Sequence, residues 1–409
     1  MSPSGPTGNP FEGLPFFGDL AKLLGQGGGI PWEAARSLAL AVATEGQSEP
    51  NVDPVERIKL EQLARVADLH VANVTGLSTS ISGRELTILP VNRAIWATRT
   101  LDSFRPLLEQ LASALGGPAE PEAGSDDPSS SLDFPEDELS PDDQMAAMIA
   151  PMLQAMQPTM VAMTAGSMVG HLARRSFGQY DLPIPRQPSD ELMIIVPSLD
   201  AFGEEWSLPP DDLKLWICLH EIAHHAVLGV PHVRAALDDL IGQFATGFRN
   251  DPNALEEHLR NVEGADDSDL LGQLQQVLGE PGALLGAIQS DEQRALKPRL
   301  EALVAVVVGV VDHVMDEVGG KLISSYGMLT EALRRRRVET SDADRFVERL
   351  LGLELTQTTY DRGTAFVDGV VERAGEEGLA RLWESDKMLP SPPEVDAPGL
   401  WLARIDLPD

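Results

Sequence analysis

The chain has 409 residues, with 31 basic against 64 acidic side chains and a formal net charge of −33. This balance argues against nucleic acid and anionic membrane as main partners, and the single cysteine, Cys218, excludes an intramolecular disulfide framework. The longest uninterrupted apolar run, Ala302 to Val311, is ten residues, too short to span a bilayer, and Met1 to Gly8 lacks the pattern of a signal peptide, so a cytoplasmic protein without membrane insertion is expected.

Residues 1–30 read as loose, with a glycine-rich hinge at Gly25 to Gly29 before Pro31-Trp32. Helices are predicted over 31–45 and 53–75, the second from Pro54 near its start and the helical spacing of Ile58, Leu60, Leu63, Ala64 and Val66. A further helix is predicted from Arg93 to Leu115, closing an N-terminal helical region, 1–115. Residues 116–143 are acidic and rich in Pro, Ser and Gly, as in a disordered linker or long loop. A helical domain, 144–409, follows.

That domain opens on a methionine stripe, Met145, Met148, Met152, Met156, Met160, Met163 and Met168, read as an adaptable core face on a helix that Pro151 and Pro158 should kink or divide. Leu192 to Pro197 is the best strand candidate. Helices are then predicted from 211 to about 385, with turns near 250–252, 264–268 and 279–282. The run Arg334 to Arg337 reads as a solvated face pairing with carboxylates. The expected fold class is mainly α with at most a small β element.

One stretch points to a chemistry. His220-Glu221-Ile222-Ala223-His224 matches H-E-x-x-H, and residues four apart share a helix face, so both imidazoles can reach one metal ion. Pro209 to Asp212 supplies a start, with an Asp as N-cap, and Gly229 and Pro231 stand where a helix should already have ended. Apolar residues surround this helix, so it should be buried, and buried polar groups need partners. Cys218 falls on another face and reads as core. His225 lies about 100° from His224 and off the metal face. A zinc ion held by His220 and His224 would bring its bound water towards a pKa of about 7, and Glu221 would act as general base on that water. Tyr326 is a candidate oxyanion donor, though a structural Tyr bonded to backbone is the commoner role.

Catalytic zinc takes three protein ligands and keeps one open position. His232 fits the third-histidine spacing poorly, because Gly229 and His232 come two residues late. The remaining candidates lie at the end of the apolar run, at Asp312 or alternatively His313.

These stretches together resemble the actinobacterial zincin-like zinc metallopeptidases, one branch of which is associated with biosynthesis of a deazaflavin coenzyme. The resemblance rests on Pro31-Trp32, Phe177-Gly178-Gln179 with Leu182-Pro183, and the H-E-x-x-H helix. It continues through Leu329 to Arg337, Leu351 to Leu355, and Trp383 with Leu389-Pro390. It implies a helical zincin-like core, zinc as cofactor and a peptide or protein substrate, which the strand at 192–197 would hold by edge addition. Other branches carry Glu-Gly-x-x-Asp on the later helix. Here that stretch reads Val308-Gly309-Val310-Val311-Asp312, so the Glu position is apolar. Three outcomes stay open: Asp312 moves inward as third ligand, His313 replaces the Glu, or the site is degenerate in a non-catalytic binding or scaffold protein.

Overall fold

The computed structural model describes residues 29–116, 141–247, 290–338 and 342–407. The expected loose segment before residue 29, the core of the acidic linker, the side chains of Met145, Met148, Met152 and Met156, and the turns predicted near 250–252, 264–268 and 279–282 lie outside the described residues.

The first helix, α1 (Trp32–Thr44), follows Pro31. The second, α2 (Pro54–Thr75), starts where Asp53 accepts the backbone N–H of Val55 with Pro54 at the first helical position, and ends at Gly76 in the left-handed region, φ 67°. Strand β1 (Thr87–Val91) and α3 (Arg93–Gly116) come next, then α4 (Pro141–Arg175). The last of these runs through Pro151 and Pro158 undivided, one of the two outcomes expected of those prolines being thereby excluded. Strand β2 (Glu191–Ile195) pairs in parallel with β1, with Thr87 opposite Glu191 and Val91 opposite Ile195. The predicted strand was therefore two residues too long at its end: Val196 and Pro197 open α5 (Val196–Glu205), because Pro197 suits the first turn of a helix and not a ladder. Its partner, β1, was not foreseen. Leu192 to Ile195 are buried, and the Ile195 N–H is given to the carbonyl of Phe177 at 2.7 Å, so that stretch has no open edge for a peptide.

The motif helix α6 (Pro210–Gly229) is buried from Leu213 to Leu228 except at Leu215 and His220. Its start differs from the expectation. Pro209 is the N-cap, and Asp212 instead accepts from Ser324 and Ser325 hydroxyls and the Ser325 N–H, tying the first turn to a distant turn of the chain. Its end is abrupt: Gly229 is the last helical residue and Pro231 opens α7 (Pro231–Thr246). Helix α8 (Asp291–Val314) begins with a reciprocal Ser290–Gln293 capping box and carries the apolar run through the centre of the bundle. It packs on α6, α7 and, most extensively, α11 (Gln357–Ala380). That contact needs glycine on both sides, because a Cβ on Gly309 would strike the backbone of Gly363 and one on Gly363 would strike the Ala305 carbonyl.

A π-turn, Met315–Gly319, follows α8. Two helices then return over the motif, α9 (Tyr326–Val338) and α10 (Asp342–Leu351), before α11 and the closing α12 (Pro398–Ile405). The fold is thus mainly α, with one two-stranded parallel sheet among the described residues. None of their helices is long and apolar enough to cross a membrane.

Candidate functional site

His220 and His224 stand one turn apart on α6, with ring centroids 4.4 Å apart. Trp216, one turn earlier, stacks on His220 at 5.0 Å and 16°. On the other side the Tyr180 ring lies parallel to His224, 6.0 Å away. The Nδ1 of His224 lies 3.1 Å from the carbonyl oxygen of His220. A carbonyl only accepts, so Nδ1 carries the proton and Nε2 of His224 is the bare nitrogen. Burial holds both imidazoles neutral. Desolvation, then the charge of Arg337, brings His220 down to about 3, and desolvation with the neighbouring His220 holds His224 well below the usual histidine range.

Glu221 is fully buried, at 0% exposure. Its Oε2 accepts the backbone N–H groups of Gln179 at 2.6 Å and Tyr180 at 2.9 Å, while Oε1 lies 3.4 Å from Nδ1 of His220. Desolvation and the nearby Asp181 outweigh those two N–H bonds and push its carboxyl up to about 8. The loop that holds it is itself fixed. The carbonyl of Gly178 accepts the Trp96 Nε1–H at 2.7 Å, and the Phe177 N–H is given to Asp181 at 3.2 Å. Gly178 sits directly on the carboxyl, where a Cβ would come within 2.6 Å of Oε2.

The expected third ligands each have another partner. Asp312 is drawn to Arg337 at 3.8 Å, and burial raises its carboxyl pKa against that attraction. His313 faces α11, with Nε2 3.1 Å from Glu376. Val308, at the position of the missing Glu, is buried among apolar neighbours. Among the described residues no group of three or more His, Cys, Asp or Glu is placed to hold a metal. Among the described residues the two imidazoles have a guanidinium beside them and no third donor, whereas a catalytic zinc takes three protein ligands.

Other expectations were met or revised. His225 lies off the face of the pair, 3.1 Å from the Tyr180 hydroxyl, and its Nε2 has no partner among the described residues. Cys218 is buried core, its thiol pushed up by desolvation. His232 turns to the Leu382 carbonyl at 2.9 Å. Tyr326 gives its hydroxyl to Asp316 at 2.7 Å, a structural role by side chain and not by backbone.

The arginine run is only half solvated. Arg335 pairs with Glu331 on the surface, but Arg336 and Arg337 line a cleft of about 750 Å³, open mouth included, that His220 also faces. Arg336 lies over the Phe177 ring, its guanidinium carbon 3.7 Å from the centroid, and Arg337 lies over Tyr360 at 4.1 Å. The signal was in the phase: Leu329, Ala332 and Leu333 are buried, and Arg336 continues that face at i+7, i+4 and i+3. Asp181, 3.8 Å from Arg336, had no such signal.

A helical bundle built round a buried H-E-x-x-H helix defines a protein of the zincin class. The chain belongs to the zincin-like metallopeptidase family, whose model matches residues 30–402. A crystal structure from Chloroflexus aurantiacus, described as a candidate hydrolase with a novel fold, has the same fold at 23% identity. The likeness covers 93% of this chain and 100% of that one, with a TM-score of 0.60. No curated protein matches the chain.

Proposed function

We propose that this chain keeps the zincin fold and its paired imidazoles as a ligand-binding framework and does not carry a hydrolytic zinc centre. The observation that carries this reading is the state of Glu221. A general base has to reach the water it deprotonates. Glu221 is sealed at 0% exposure, and its Oε2 is committed to two backbone N–H groups. Val308 in place of a carboxylate and the pairing of Asp312 with Arg337 support the same reading.

The second reading is the zinc peptidase that the motif and family imply, with zinc on His220, His224 and Asp312 or His313, Glu221 as base and a peptide as substrate. The bond from His224 Nδ1 to the His220 carbonyl favours it, because it presents a bare Nε2, as metal-bound histidines do.

Zinc analysis of the purified chain, with and without added zinc, separates the two, together with peptide hydrolysis by wild type and Glu221→Gln. Less than stoichiometric zinc and no hydrolysis that Glu221→Gln abolishes is the expected result. One tightly held zinc per chain, with hydrolysis lost in Glu221→Gln, would establish the peptidase.

A further inference from the structure

Arg186, in the loop between α4 and β2, is a guanidinium set into the protein without a counter-ion. Its carbon lies 5.0 Å from the ring centroid of Phe104 and 5.4 Å from that of Trp96, both on α3. Nη1 donates to the Thr100 hydroxyl at 3.0 Å. Nε is sealed and has no acceptor among the described residues. No carboxylate among them comes within ion-pair distance, and Tyr180 and Glu221 act on the group only from farther off. Desolvation brings its pKa down to about 10. Aromatic rings steady a cation but accept none of its in-plane N–H groups, and a buried charge short of partners is costly.

Arg186 keeps part of its surface open and lines a cavity of about 230 Å³ between α3, α7 and its own loop. Phe104, Leu107, Ile184 and Ile241 give the cavity apolar walls, and Arg234 and Asp238 are the other charged groups of the lining. Arg234 is tied by Nε to the Leu228 carbonyl at 3.0 Å. It attracts Asp238, one turn on along α7, without reaching ion-pair distance, and burial raises the Asp238 carboxyl against that pull. The volume is a little under the roughly 300–1,000 Å³ of drug-sized sites, and apolar walls with a few polar groups are the usual lining of such sites.

We propose that this cavity binds a small organic carboxylate, its head on the Arg186 guanidinium and its apolar body against Phe104, Leu107, Ile184 and Ile241. A carboxylate is planar and offers two acceptors to an N–H fork, which is what Arg186 lacks. Asp238 in the same lining opposes a dianion such as a phosphate monoester. The assignment goes beyond the function proposed above, since the cavity is lined by neither His220 nor His224, and it holds whether or not that pair turns over a peptide.

The test is calorimetric titration at neutral pH, in EDTA throughout, with benzoate, phenylacetate and hexanoate, each beside its uncharged amide, and with phenyl phosphate. At least one of the acids should bind, its amide at least about tenfold more weakly, the scale of a charge-assisted hydrogen bond. Arg186→Gln should weaken that acid at least about tenfold and leave the amide unchanged. Arg99→Gln, which removes the same charge from the exposed side of α3, where it pairs with Glu191, should change neither. Gly242→Leu fills the cavity from α7: its added Cβ meets only the flexible Gln110 side chain, at 3.3 Å, and leucine favours the helix. It should weaken the acid at least about tenfold with a thermal midpoint no lower than wild type, and it carries the test if Arg186→Gln does not fold. No binding by any of the acids, equal binding of acid and amide, or an affinity untouched by Gly242→Leu or by a folded Arg186→Gln would overturn the proposal, as would equal losses in Arg99→Gln and Arg186→Gln. Tighter binding of phenyl phosphate than of every acid would overturn the carboxylate assignment. Because EDTA is present in every arm, failure here leaves the zinc question untouched, and the zinc analysis leaves this one untouched.

Discussion

The carboxyl of Glu221 hangs from the backbone N–H of Gln179 at 2.6 Å, a residue 42 positions earlier in the chain. The bond turns a side chain of the motif helix into a strut for the loop between α4 and β2. The same loop sends Tyr180 against His224 and Asp181 into the cleft. In this arrangement the motif glutamate supports the site from behind.

Gly178 tests that strut. A side chain there meets the Glu221 carboxyl, so Gly178→Ala should lose about 1–3 kcal/mol, the usual cost of overpacking a core. Urea unfolding followed by circular dichroism measures it. In Glu221→Gln the amide oxygen still accepts both N–H groups, and the loss should be smaller. A Gly178→Ala chain as stable as wild type would mean that the loop is not held against Glu221.

Tyr180→Phe should cost about 1–3 kcal/mol, because the Tyr180 hydroxyl is the partner of His225 Nδ1 and Nε2 of that ring has none among the described residues. Denaturant midpoints decide this. A neutral substitution would show that His225 finds a replacement partner, such as an ordered water.

Asp190 sets an acid limb of stability. Desolvation would raise its carboxyl, but the Ser82 hydroxyl and the N–H groups of Ser82 and Ile81 hold it down to about 2. The unfolded chain therefore binds the proton first as pH falls. The contribution is complete above the unfolded value of 3.8 and is lost as pH drops through about 2. Wild type should lose this increment between those values, and Asp190→Asn should lack that part of the slope. Parallel pH profiles of urea midpoints for the two proteins would refute it.

Gly309→Ala should be strongly destabilising, at least about 3 kcal/mol, because the contact is backbone on both helices and cannot rotate away. Gly327→Ala is the control: no atom lies within 4 Å of its added Cβ, and alanine favours the helix it occupies. Similar thermal midpoints for the two variants would refute the close crossing of α8 and α11.

The sequence alone determined the helical class, the starts of α1, α2 and α3, and the motif helix with its two histidines on one face. Each depends on neighbours within one or two turns, where periodicity and local capping act. His225 and Cys218 were placed off the metal face by the same 100° step. Contacts between distant segments decided the rest. The Asp expected to cap the motif helix does not do so, and Asp212 is drawn to the turn at 324–325, which offers it three donors. Glu221 faces the loop at 179–180, Asp312 faces Arg337, and half of an arginine run turns inward to line a cleft. A spacing such as H-E-x-x-H constrains which side chains share a face. Whether that face meets a third ligand or a guanidinium depends on the packing of α8 on α6 and on where the arginines of α9 come to line the cleft, which no local pattern encodes.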